Sequence, residues 1–72
     1  MSVDVSVEIR VNGEQRRVPG GLSVAEMLSE IGVDPQKVAV ERNLEIVPRS
    51  TFDTMQVGDG DAYEIVHFVG GG

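Results

Sequence analysis

The chain has 72 residues, enough for one small domain with a modest core. Twelve acidic residues face six basic ones, a net charge of -6, which argues against nucleic acid as a partner because phosphates demand basic patches. There is no cysteine, so no disulfide or thiolate metal site can form and no thiol can act as nucleophile or carry a persulfide. One histidine leaves little room for acid–base catalysis. No apolar run is long enough for a membrane and no export signal is visible, so the cytoplasm is the expected compartment and no membrane partner is expected. The composition describes an acidic domain that is not an enzyme.

Val3, Val5, Val7, Ile9 and Val11 alternate with Asp4, Ser6, Glu8, Arg10 and Asn12. That period predicts a strand with one buried and one wet face. Asn12-Gly13 is a tight hairpin turn, since both residues tolerate positive φ. The return strand, residues 14–19, carries Arg16, Arg17 and Pro19, the chemistry of a blunted edge. Gly20-Gly21 closes it.

Ser23-Val24-Ala25-Glu26 has the pattern of a capping box, and Leu22 with Met27 is placed to form a hydrophobic staple. Val24, Met27, Leu28 and Ile31 recur on one helical face, and Gly32 marks the stop. A helix over residues 24–31 is too short to stand alone, so it must lie on a sheet. Val33-Asp34-Pro35 restarts the chain in a turn, with a short helical turn through Lys37. Residues 38–42 read as a strand, Asn43 as a left-handed turn residue, and residues 45–47 as a short strand ended by Pro48. Residues 49–57 read as irregular, anchored by Phe52 and Met55. Gly58-Asp59-Gly60-Asp61 reads as a turn. Its two aspartates lack the glutamate and spacing of a calcium loop, so no metal is expected. Residues 62–69 form the last strand, apolar on both faces apart from Glu64 and His67, as for a central strand covered on both sides. The expected core includes Val5, Val7, Ile9, Leu28, Ile31, Val38, Val40 and Ile65. The order of elements is α+β: one main helix on one face of a mixed sheet of about five strands.

The chain ends in Gly70-Gly71-Gly72. Glycines pack nothing and thread where other backbones do not fit, so this tail adds little to the fold. Residues 1–69 form the expected domain and residues 70–72 a flexible tail. Two readings of the tail stand at this point: a terminal carboxylate presented to another protein, or a frayed end.

Taken in order, these parts resemble ThiS, the sulfur carrier family of thiazole (thiamin) biosynthesis. The resemblance rests on Val11-Asn12-Gly13-Glu14, on Leu22-Ser23-Val24-Ala25-Glu26-Met27-Leu28, and on Val40-Glu41-Arg42-Asn43. It continues in Glu45-Ile46-Val47-Pro48-Arg49 and Asp59-Gly60-Asp61. It ends in Glu64-Ile65-Val66-His67-Phe68-Val69 and the three glycines. Departures are small: extra residues before the first strand, Gly20-Gly21 ahead of the helix, and Met55-Gln56-Val57 in place of a more regular run. The resemblance implies a β-grasp (ubiquitin-like) fold, with the first and last strands parallel and adjacent at the sheet centre. The related molybdopterin-synthase small subunit shares the fold and the Gly-Gly end but usually lacks Phe-Val before it, so it ranks second.

The resemblance further implies that Gly72 is the sulfur-carrying terminus, with Gly70 and Gly71 as its tail. A carboxylate is a poor electrophile, so a partner, an adenylating (E1-like) activating enzyme, would use ATP to form an acyl adenylate. A sulfur donor protein would then yield a thiocarboxylate for delivery to thiazole synthase. No cofactor is expected on the carrier itself, and the free carrier is expected to be a monomer. Val66 and Phe68 oppose Ile65 in parity and are docking candidates on the open side of the sheet, the alternative being burial under residues 49–57. His67 is a candidate for positioning the tail or an ordinary half-exposed strand residue. Arg42 and Arg49 could pair with partner acids or with Glu41 and Glu45. A non-catalytic acidic binding module and a ubiquitin-like modifier joined to lysines are the readings from other classes.

Overall fold

The structure, a computed structural model, describes residues 5–68. The expectations placed on Val3, Asp4, Val69, Gly70, Gly71 and Gly72 lie outside the described residues. Strands β1 (Ser6–Val11) and β2 (Glu14–Pro19) form the hairpin, with Asn12 at φ 50° and Gly13 at φ 85°. Two successive positive φ angles match the right-handed twist of the flanking strands. Helix α1 spans Val24–Glu30. The Glu26 amide donates to Ser23 Oγ at 3.1 Å and the Ser23 amide to Glu26 Oε1 at 2.9 Å, completing the capping box. Ile31 is its C-cap, and Gly32 at φ 88° turns the chain away.

A 3₁₀ turn, Pro35–Lys37, leads into β3 (Val38–Arg42) and β4 (Glu45–Ile46). A second 3₁₀ turn, Arg49–Thr51, precedes the irregular stretch that ends at β5 (Ala62–His67). The sheet order is β2-β1-β5-β3-β4. β1 and β5 run parallel, while every other neighbouring pair is antiparallel. The first and last strands are therefore adjacent and β5 is central, as the family resemblance implies, and β2 is an edge, as Arg16, Arg17 and Pro19 suggest.

Val24, Met27 and Leu28 are fully buried and cover Ile9, Val11, Val18, Val38, Val40, Tyr63 and Ile65 on one face of the sheet. Phe52 is buried and Met55 half-buried, so both anchor the loop. Val47 and Val57 also enter the core, which no periodic pattern announced.

Three expectations need correcting. Val5 is 64% exposed, because the apolar alternation of the first strand runs past the part of the sheet covered by the short helix. Val7 and Ile31 are half-buried at the margin of the core. β5 is not covered on both sides: Tyr63 and Ile65 are buried while Ala62, Glu64 and Val66 are exposed, because the single helix protects one face only. Val66 is 60% exposed and Phe68 59%, so the loop of residues 49–57 does not bury them.

Truncating Leu28 should leave a cavity under the sheet at a site where no side-chain surface reaches water. Leu28→Ala is expected to cost about 2–5 kcal/mol, measured by urea unfolding.

Candidate functional site

The candidate site is the end of β5, where the core stops and the C-terminal segment starts. Ile65 is the last buried residue described. Val66 lies beside Ala39 of β3, and both are exposed on the face opposite the helix. Ile46, on the same face across from Glu41, is exposed as well. His67 lies opposite Val38 and is exposed. The Phe68 amide donates to the Lys37 carbonyl at 3.0 Å, which ties the last described residue to the start of β3. The three docking candidates Val66, His67 and Phe68 are thus accessible and contiguous at the strand end.

Phe68 is exposed without being loose. The Arg49 guanidinium carbon lies over the Phe68 ring at 5.6 Å from its centroid and over the buried Phe52 ring at 5.5 Å. Arg49 also donates from Nη1 to the Pro35 carbonyl at 2.6 Å and from Nη2 to the Val38 carbonyl at 2.9 Å. Arg49 is therefore engaged with aromatic rings and backbone carbonyls, not with the glutamates the sequence offered.

Two asparagines hold β5 on its two sides. Asn12 donates through Nδ2 to the Ile65 carbonyl at 3.1 Å and accepts from the Ile65 amide at Oδ1, 2.8 Å. Its side chain thereby continues the β1–β5 ladder past the end of β1. Asn43, at φ 51°, accepts from the Ala62 amide at 3.0 Å and donates to Asp61 Oδ1 at 3.2 Å.

Asp61, buried beside this junction, is the hub the sequence did not disclose. Its Oδ2 accepts from Arg42 Nε at 2.9 Å, the Gly58 amide at 2.8 Å and the Tyr63 hydroxyl at 2.9 Å. Arg42 thus pairs with Asp61 and not with Glu41 or Glu45. Burial pushes the Asp61 carboxyl up, but the donors from Arg42, Gly58, Asn43 and Tyr63 outweigh it and hold it below the usual carboxylate range. Asp61 in turn raises the Arg42 guanidinium, and burial with the adjacent carboxylate raises the Tyr63 hydroxyl. These bonds make the cluster a structural tie, and Asp61 also borders a surface groove with Glu8, Gln15 and Asp59. The aspartates of the 58–61 turn act on protein groups: the Asp59 carboxylate accepts from the Glu8 amide at 2.8 Å. Among the described residues no three histidine or acidic side chains come together to hold a metal. No described helix is long and apolar enough to cross a membrane.

The ThiS family model matches residues 9–72. The chain belongs to the ThiS family. ThiS proteins are small sulfur carriers, not catalysts, with a ubiquitin-like β-grasp fold. The chain is 38% identical over 50 residues to the sulfur carrier protein ThiS of Bacillus subtilis, covering 69% of this chain and 76% of that one. The crystal structure of the thiamine biosynthesis protein ThiS from Geobacter metallireducens superposes with a TM-score of 0.76 at 40% identity, covering 92% of this chain and all of that one. A designed protein based on human erythrocytic ubiquitin shares the fold at TM-score 0.57 and 16% identity, covering 97% of this chain and 98% of that one. A thiazole synthase of Paramagnetospirillum magneticum is 52% identical over 66 residues, 92% of this chain. This ThiS-family chain spans only 20% of that protein's length.

Asp61→Asn removes the charge that three donors on one oxygen require. It should destabilise the fold by about 3 kcal/mol at pH 7, within the range for hydrogen bonds to charged groups and broken buried pairs. The folded-state pKa of Asp61 is lowered, so its stabilisation is complete above the unfolded value of about 3.9 and disappears as pH falls through the folded value. The gap between wild type and Asp61→Asn in thermal or urea melts should therefore be level from pH 7 to about 5 and close below about 4.

Proposed function

We propose that the chain carries sulfur for thiazole formation in thiamin biosynthesis as a thiocarboxylate on Gly72. The observation that carries this reading is the extent of the family match, which runs from residue 9 inside β1 to Gly72. Among the described residues the core stops well before that end, its last buried residue being Ile65. A matched stretch that runs past the core fits a role for the tail in chemistry with a partner.

The chemistry follows from what a carboxylate lacks. Its charge is delocalised and its leaving group would be oxide, so it must be activated before sulfur can replace oxygen. An adenylating (E1-like) enzyme would join the Gly72 carboxylate to the AMP moiety of ATP and release pyrophosphate. A sulfide-equivalent nucleophile from a sulfur donor protein would attack the acyl carbon, AMP would leave, and a thiocarboxylate would remain. Its sulfur is a good nucleophile for the next enzyme. The carrier has no cysteine, so the terminus is where it can hold sulfur in this way. Glycines at positions 70–72 let the terminus enter a narrow channel in each partner without a Cβ to accommodate. ATP is a substrate of the activating enzyme, and the carrier needs no cofactor of its own.

Thiazole synthase is the proposed acceptor. In P. magneticum a segment alike to this chain makes up a fifth of a protein named thiazole synthase. Carrier-like and further sequence are joined there in one polypeptide, which fits direct delivery between them. Val66, His67 and Phe68 are the proposed docking residues on this side, being accessible next to the tail.

Deleting Gly72 moves the carboxylate back by about 3.5 Å, and a misplacement of 1 Å can cost ~100-fold in rate. Gly71→Val adds a β-branched side chain that restricts the backbone. Both variants should melt within roughly 0.5 kcal/mol of wild type, yet ATP–pyrophosphate exchange with the activating enzyme should be strongly reduced or abolished. Equal exchange by the truncated protein would overturn the carrier reading. A parallel loss of stability would make the tail structural.

A further inference from the structure

Arg49 stands at the only contact that joins the end of β5 to the loop between β4 and β5 among the described aromatic interactions. Its guanidinium has four partners. Two are rings, Phe52 fixed in the core and Phe68 exposed at the strand end. Two are carbonyls, those of Pro35 and Val38. These carbonyls bracket Lys37, whose own carbonyl accepts the Phe68 amide at 3.0 Å. The guanidinium and the Phe68 amide therefore hold the same short piece of chain, the 3₁₀ turn that enters β3.

Ordering Arg49 has an entropic cost, because its side chain is long and the residue is exposed. A surface arginine gains little from a single contact. Here the planar fork meets two carbonyls at once and its charge lies within about 6 Å of two ring centroids, the range in which a cation is attracted by a ring face. The acids near this groove, Asp34 and Asp53, are not its partners: Asp34 Oδ1 accepts from the Gln36 amide, and no ion pair joins Arg49 to either among the described contacts. The arrangement spends an arginine on holding one exposed phenylalanine at the point where the packed domain ends.

We propose that Arg49 is a positioning residue for the carrier's chemistry: through Phe68 it fixes where the C-terminal segment leaves the sheet, and so where the Gly72 carboxylate is delivered. This rests on the carrier reading above. Gly72 lies four residues beyond Phe68, so the reach of the terminus is set by the place and direction of residue 68. A terminus with a fixed origin searches a smaller volume than one hinged further back at Ile65, and the reaction gains from that restriction. Lysine cannot replace this arginine, because an ammonium group is a point charge and cannot place two donors on two carbonyls while lying over two rings.

The test uses the full chain as Arg49→Lys, which keeps the charge, as Phe68→Leu, which keeps an apolar side chain, and as the double variant. Two readouts are needed. In the free carrier, amide hydrogen exchange at Phe68 should speed up at least about tenfold in Arg49→Lys while core amides such as that of Val40 stay protected. In adenylation by the activating enzyme, Arg49→Lys should lower kcat about tenfold or more, with KM for the carrier within about twofold of wild type. In kcat the double variant should be no worse than the poorer single variant, since the two residues act as one unit. Unchanged exchange at Phe68 overturns the clamp, whatever the enzymology. A raised KM with unchanged kcat overturns positioning and makes Arg49 a docking residue. Additive losses in the double variant mean that Arg49 does not act through Phe68 and also overturn the proposal. If wild type itself is not adenylated, the carrier reading fails, and the exchange measurement still decides whether Arg49 holds residue 68.

Discussion

The parallel pairing of β1 with β5 is the constraint on which the rest of the structure depends. It brings the first and last strands together inside one sheet, so every other element has to be hung between them. The pairing is short: Arg10 and Val11 register with Ala62 and Tyr63. Parallel pairs are slightly weaker per residue than antiparallel ones and need a long crossover. The chain strengthens this one from both ends. At one end the Arg10 amide donates to the Asp61 carbonyl, and at the other the Asn12 amide donates to the Tyr63 carbonyl. The Asn12 side chain then serves Ile65 as a strand residue would. Asp61 gathers Arg42, Tyr63 and the Gly58 amide at the start of β5, so a charged hub lies where the last strand begins. The last strand is therefore centred and pinned, and the exposed residues Val66, His67 and Phe68 lie at its far end.

What could be read in the sequence was local in nature. Alternation of Val7, Ile9 and Val11, the Asn12-Gly13 turn and the Ser23–Glu26 capping box each depend on residues a few positions apart, and each occurs in the structure. The parallel neighbourhood of first and last strands came from the family resemblance, not from any period in the chain. The Arg42–Asp61 pair joins residues 19 apart on elements that meet only once the sheet is formed, so charge pattern alone pointed to nearer acids. Val47 and Val57 were hidden because burial in irregular chain has no period. Val5 shows the reverse error: its pattern is that of a core residue, but burial also requires something to cover it, and the seven-residue helix is too short to do so.

Of the candidate site, the exposure of Val66 was legible in the sequence and the surroundings of Phe68 were not. Parity put Val66 and Phe68 on the open face: Val66 is exposed there beside Ala39, whereas Phe68, though exposed, lines a groove with Ala25, Arg49 and Phe52 on the helix and loop side. The role of Arg49 was not readable, because its partners are two rings and two backbone carbonyls, none of which a charge pattern reveals. Together these features divide the molecule by task. A core covered on one face by a helix supplies stability, and a central strand carries that rigidity to the exposed residues Val66, His67 and Phe68.

The most direct test of the central claim is the intact mass of the carrier after incubation with ATP, the adenylating enzyme and a sulfur donor, with fragmentation to place any change. The account predicts a mass gain equal to replacement of one oxygen by one sulfur, located on Gly72 and absent when ATP is omitted. An unchanged mass under conditions that adenylate another ThiS-family carrier, or sulfur located on any other residue, would contradict it.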